Sequence, residues 1–303
     1  MTVPFGLGVF LPYEGEPRTF APLVEGAGFG WLAYGEHVLF RRPIMNAFVT
    51  LAAASAVTDR IRLLSALTLL PLYPAALAAK LASSLDVLSR GRFDFGIGVG
   101  GEVAAEFDAC GVRLADRGRL VDAALPVMRA LFEGGDGAGG GGAGDDAVML
   151  PGPVQQPGPP IWVGGRSDAA LRRAARAGDV WLPYLVTPEQ LAAGTEKLRA
   201  FEAASPPRAE PVRASAVCFV AVDRDGLAAE RRGKAFVSRL YSIDEARISR
   251  YVVAGTPAAV VERLGEYRDA GAGSVMLNLC AEGPEADTMV ELAGREVRPA
   301  FQP

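Results

Sequence analysis

His37 is the only histidine among 303 residues, so any imidazole chemistry in this chain uses that one ring. In water an imidazole changes charge at about pH 6.5, which suits it to moving a proton on or off a reacting oxygen. It stands in Tyr34-Gly35-Glu36-His37, directly after the apolar run Trp31 to Tyr34. The competing reading is a histidine that caps a loop or packs on Trp31. A second candidate is Gly96-Ile97-Gly98-Val99-Gly100-Gly101-Glu102. Its formal GxGxxG spacing is poorly placed for a dinucleotide fingerprint, because the stretch after it, Val103 to Gly111, reads as short and irregular rather than as a long helix. Gly100 and Gly101 more simply let a flat ring approach the backbone. Glu102 then follows as either a working or a merely solvated carboxylate. The third candidate, Gly164-Gly165-Arg166-Ser167, joins a short apolar run to a helix. Free backbone N–H groups, the positive end of the helix and the Arg166 guanidinium together suit a phosphate. An ordinary turn with Ser167 as N-cap is the alternative, and Arg172, Arg173 and Arg176 read as a solvated helix face.

Other chemistries find little support. No Gly-x-Ser-x-Gly elbow or Walker A sequence is present. A net charge of -4 and a pI near 5.3 offer nucleic acid no electrostatic footprint. Cys110, Cys218 and Cys280 are too scattered for a disulfide framework or a metal site, and read as buried thiols. The apolar stretches are broken well before the roughly 18 residues a membrane span needs, and the amino terminus lacks the pattern of a secretion signal. The expectation is a cytoplasmic protein with a small-molecule substrate, without metal, membrane or nucleic acid.

The elements that must position these groups alternate along the chain. Strands are expected at Val3–Phe10, Trp31–Tyr34, Arg60–Thr68, Arg92–Ile97, Ile161–Val163, Val180–Leu182, Val212–Val222 and Ser274–Leu279. Helices fall between them, at Pro17–Ala27, Asn46–Val57, Pro74–Leu88, Arg117–Phe132, Ala169–Ala177, Pro188–Ala203, Leu227–Arg250 (mostly helical) and Thr256–Ala270, with Glu285–Val297 closing the chain. Gly134–Asp146 reads as a flexible surface loop, and Val148–Leu150 with Val154–Gln156 as a small hairpin. Eight strand–helix units imply an α/β fold, a (β/α)8 TIM barrel forming one domain over residues 1–303. In such a barrel the chemistry sits on the loops at the carboxyl ends of the strands.

Ser89-Arg90-Gly91-Arg92-Phe93, followed by Gly96 to Gly101, resembles a stretch of the luciferase-like flavin and F420 oxidoreductases. Glu106-Phe107, Gly111-Val112, Leu69 to Pro74, Pro159 to Gly165 and Ala254 to Pro257 fall where that family has similar residues. The resemblance implies an F420-dependent oxidoreductase transferring hydride to or from a small substrate. The alternative within the family is an FMN-dependent monooxygenase fed reduced flavin by a separate reductase. It also implies His37 and Glu102 as catalytic residues, the latter serving a ring-nitrogen proton. Glu36 would contact the cofactor where F420 enzymes carry aspartate. A non-prolyl cis peptide near Leu67-Thr68 would back the ring, and Gly165, Arg166 and Ser167 would hold the cofactor phosphate. Members acting on sugar phosphates carry lysines at the mouth of strand six. Trp181-Leu182-Pro183-Tyr184 stands there instead, which implies an uncharged, fairly apolar substrate. A homodimer is the family's common assembly.

Overall fold

A computed structural model describes residues 5–134 and 148–302. The glycine-rich segment expected as a flexible loop lies, apart from Gly134, outside the described residues. The strands are β1 (Gly6–Phe10), β2 (Trp31–Tyr34), β3 (Arg62–Ser65), β4 (Thr68–Leu69), β5 (Phe93–Gly98), β6 (Ile161–Gly164), β7 (Val180–Leu182), β8 (Arg213–Val222), β9 (Val252–Gly255) and β10 (Ala272–Leu279). The helices are α1 (Pro17–Gly26), α2 (Ala47–Ser55), α3 (Ala75–Leu88), α4 (Ala104–Ala109), α5 (Arg117–Phe132), α6 (Asp168–Ala177), α7 (Pro188–Ala203), α8 (Gly226–Tyr241), α9 (Glu245–Ile248), α10 (Pro257–Asp269) and α11 (Pro284–Glu296).

All strand pairings are parallel. The ring runs β1-β2-β3-β5-β6-β7-β8-β10 and closes from β10 onto β1, giving the eight-stranded TIM barrel. The short β4 continues β3 after the cis peptide Ala66-Leu67 and pairs with β5. That bond lies one residue before the position expected at Leu67-Thr68. Strand β9 was not foreseen in the sequence. It pairs with Phe219–Val222 of β8, on the edge away from β10.

The period-two alternation of the strands divides the core in two. Side chains such as Val9, Leu32, Leu63 and Phe95 point outward and pack with buried residues of the surrounding helices. Ala33, Leu64, Trp162, Val180, Leu182 and Met276 form a separate cluster inside the ring. Fully burying a large apolar side chain contributes about 1.5–3 kcal/mol, so the filled interior stabilises the fold and closes the barrel beneath the site.

Much of the stretch that carries the family resemblance is structural. Beyond the end of α3, Arg90 and Gly91 adopt φ of 56° and 78°. Arg92 then donates hydrogen bonds to the carbonyls of Ser55, Thr58, Ile61 and Ser89 and to the Thr58 hydroxyl. Its guanidinium therefore ties the chain entering β3 to the chain entering β5. The expected hairpin at Val148–Gln156 is absent. The N–H groups of Val154 and Gln155 go to the buried Asp86 carboxylate, and Pro151, Pro153 and Pro157 have no N–H to give a ladder.

Three further expectations are corrected. Cys218 and Cys280 are buried, but Cys110 is exposed. The segment expected as mostly helical up to Arg250 breaks at Ser242, which is left-handed at φ 54°. Val103–Gly111, read as irregular, contains α4, and this short helix delivers a residue of the site. Among the described residues no helix is long and apolar enough to cross a membrane.

Candidate active site

A cavity of about 680 Å³ opens at the carboxyl ends of the barrel strands. Pockets of this size hold cofactors and drug-sized molecules. His37, Glu36, Leu67, Gly100, Glu102, Gly165, Arg166 and Ser167 all line it. Thr68 and Gly101 do not. Thr68 is fully buried, its hydroxyl without a described hydrogen-bond partner, while Gly101 (φ 113°) lies against the Arg117 side chain.

His37 is fixed from two directions. Its ring stacks on Phe40 at a centroid distance of 4.1 Å and an interplanar angle of 4°. Its Nδ1 lies 3.2 Å from both carboxylate oxygens of Glu106. Glu106 comes from the first turn of α4 and has 0% of its side chain exposed, against 16% for His37. It also accepts the backbone N–H of Val38 at 3.0 Å. A carboxylate can only accept, so Nδ1 carries the proton that faces it, and Nε2 is the nitrogen left for a ligand. His37 packs on Phe40 rather than on Trp31, whose indole donates to Asp94.

Glu36 plays a part that the sequence did not suggest. Its carboxylate accepts from the backbone N–H groups of Leu69 and Ala47, the Asn46 amide and the Tyr73 hydroxyl, at 2.9–3.2 Å. It thereby pins the start of α2 to the end of β4. Burial raises its pKa against the pull of these donors. With four protein donors engaged, Glu36 braces the cavity wall, and any cofactor contact has to compete with those bonds.

The floor is made of backbone and of Leu67. A Cβ on Gly96 would lie 1.8 Å from the carbonyl oxygen of Ser65, and one on Gly164 would lie 2.0 Å from Leu67 Cδ1. Glycine at position 96 therefore lets β5 close on β3, and Gly98 and Gly164 leave the room that the Leu67 side chain occupies.

At the β6 mouth, Gly165 has φ 109° and Ser167 caps α6 by accepting from Ala170 N–H. Trp181 Nε1 donates to the Gly165 carbonyl and turns that oxygen aside. Arg166 donates to the Leu185 carbonyl and lies over the Tyr184 ring at 5.0 Å. Arg117, at the start of α5, also lines the cavity, its described hydrogen bond going only to the Leu114 carbonyl. Two guanidinium groups without a described carboxylate partner and the end of a ten-residue helix thus share one cavity, a set of donors that matches a phosphate. Glu102 accepts the Tyr184 hydroxyl through Oε1 at 2.8 Å, leaving Oε2 free of described partners. Burial and that carboxylate push the Tyr184 phenol up to about 12, and burial does the same for Tyr13 on the facing wall.

The sequence reading missed Glu106 and Arg117. Glu106 had been placed within a motif but without a role, and Arg117 carried no signal beyond its position at a helix start. Among the described residues no group of three or more His, Cys, Asp or Glu side chains converges as a metal site.

Comparison with known proteins agrees with the barrel fold. The chain is 38% identical over 152 residues to uncharacterized proteins of Mycobacterium tuberculosis and Mycobacterium bovis, covering 50% of this chain and 51% of each relative. It thus spans about half the length of the curated relatives it matches. The structure resembles monooxygenase RslO1 from Streptomyces bottropensis, with a TM-score of 0.82, 24% identity and coverage of 98% and 100% of the two chains. It resembles the coenzyme F420-dependent tetrahydromethanopterin reductase from Methanopyrus kandleri, with a TM-score of 0.80, 20% identity and full coverage of both. A third likeness is the oxygenating constituent of 3,6-diketocamphane monooxygenase from Pseudomonas putida in complex with FMN, with a TM-score of 0.76, 19% identity and coverage of 100% and 99%. These likenesses show the shared fold, and the family model described as luciferase-like monooxygenase matches residues 15–249, so the chain belongs to the luciferase-like monooxygenase family.

Proposed function

We propose that the protein is an oxidoreductase that moves a hydride between coenzyme F420 and a small, uncharged organic substrate. One observation carries this reading: His37, with Nδ1 committed to Glu106, lines the same cavity as the Gly165–Ser167 turn. Leu67 and the strand-end glycines would support the ring, while Arg166, Arg117 and the α6 terminus would hold the phosphate. Bound F420 would supply the hydride acceptor and donor, at carbon C5 of its ring. His37 Nε2 then takes or returns the proton on the substrate oxygen. Glu102 would offer Oε2 to hold or release a proton beside the ring of the bound cofactor. Holding the reactants together in one walled cavity contributes much of the rate, because it replaces a chance encounter by a fixed geometry. The absence of lysine from the lining supports an uncharged substrate.

The test is a cofactor titration under anaerobic conditions, followed by fluorescence or absorbance. F420 is expected to bind with micromolar affinity, and Arg166→Ala to weaken it about tenfold, the worth of one charge-assisted contact. Oxygen consumption with reduced FMN, and none with reduced F420, would give the site to the FMN monooxygenase reading, which the FMN-bound relative favours. The proposal takes the chain as one domain working in the cytoplasm as a homodimer. Light scattering should then return twice the chain mass of 31.8 kDa, and a value of one chain mass would remove that part.

A further inference from the structure

The two halves of the cavity floor differ in kind. On the half built on β2, β3, β5 and β6, Gly35, Ala66, Gly98 and Gly164 leave much of the floor to backbone and to Leu67. Phe10, Leu182 and Phe219 fill the half built on β1, β7 and β8, and α8 adds Tyr241, which stands edge-on to Phe219 at 5.8 Å and 88°. The first half suits a flat cofactor, which leaves the second, apolar half for the substrate.

Among the strand residues that floor this half, Asn278 brings a carboxamide. Asn278 lies opposite Phe219 in the β10–β8 register. It points the same way as Met276, two residues earlier, which is fully buried inside the barrel. Asn278 is half-buried and lines the cavity, and its carboxamide makes no hydrogen bond to any described residue. Its donors and acceptor are therefore open to a ligand oxygen, which would take the place of water there.

We propose that Asn278 is the specificity determinant of this site, pairing with an oxygen of an uncharged, ring-bearing alcohol or ketone whose apolar body lies among Phe10, Phe219 and Tyr241. This rests on the oxidoreductase reading above and names its substrate class. A carboxamide offers both N–H donors and a carbonyl acceptor. It can accept from a hydroxyl and donate to a carbonyl, and so serves both oxidation levels of one substrate. A charged residue at this position would serve only one polarity.

Three probes of matched shape test the idea: 1-phenylethanol, acetophenone and ethylbenzene, with affinities measured by ligand-observed NMR on the full chain, with and without F420. The wild-type protein should prefer both oxygenated probes to ethylbenzene by about tenfold, the worth of a neutral hydrogen bond. Asn278→Leu, similar in size, should reduce that preference below about twofold while ethylbenzene binds equally well or better. Asn278→Asp should keep 1-phenylethanol and lose acetophenone, because a carboxylate only accepts. Asn278→Asp also keeps the test open if Asn278→Leu fails to fold. No preference in the wild-type protein, an intact preference in Asn278→Leu, or binding of none of the probes would overturn the proposal. F420 titration of the same proteins separates the two readings. If F420 fails to bind while the oxygen preference follows residue 278, the cofactor assignment falls and this one stands.

Discussion

Replacing His37 with alanine should lower hydride transfer at least about a hundredfold, the range over which positioned general acids and bases act. Binding of F420 should change little, because the groups proposed to hold its phosphate sit on other elements, α5, α6 and the turn before α6. The measurement is anaerobic, following F420 absorbance as substrate is turned over, with a binding titration alongside. The expectation rests on chemistry that no other described lining residue repeats. The only imidazole of the chain is held by a stacked ring and a buried carboxylate, with one nitrogen left for the cavity. Undiminished turnover in His37→Ala would take the proton-transfer role away from this residue.

Glu106 carries the second large effect, as a positioning residue that acts through His37. Glu106→Gln keeps the shape but replaces one accepting oxygen with an N–H₂ group, so the imidazole is no longer held in a single tautomer. We expect kcat to fall roughly a hundredfold with KM within about threefold of wild type, since the interaction lost is one felt in the reaction rather than in binding. Glu106→Asp should recover part of the rate. Glu106→Leu should also destabilise the fold by about 3 kcal/mol, read from a denaturation midpoint, because it leaves the Val38 N–H and the His37 Nδ1–H without their acceptor at a fully buried position. A Gln variant with wild-type kcat would reduce Glu106 to a packing residue.

The stretches that identify the family and the groups placed to do chemistry are largely different residues. Arg92 and Asp86 hold together chain segments at the entry side of the barrel. They explain why a motif around Ser89–Phe93 can mark a fold so clearly while contributing no atom to the cavity lining. Glu36 makes a related point, since its carboxylate lines the cavity while engaged with four donors of the wall.

The sequence by itself determined the alternation of strands and helices, the barrel, the strand-end position of His37 and the turn at Gly164–Ser167. Those features are local: apolar periodicity, helix caps and glycine-rich turns are written within a few neighbouring residues. What only the tertiary structure decided is which distant groups meet. Glu106 reaches His37 across 69 positions of chain, and Arg117 joins Arg166 only because the ring brings the loops after β5 and β6 side by side. Side-chain direction was equally out of reach, because in a strand a difference of one residue exchanges the two faces. Leu67 faces the cavity while Thr68, its neighbour, is sealed in the wall, and Asn278 gains its open carboxamide only when β10 closes between β8 and β1.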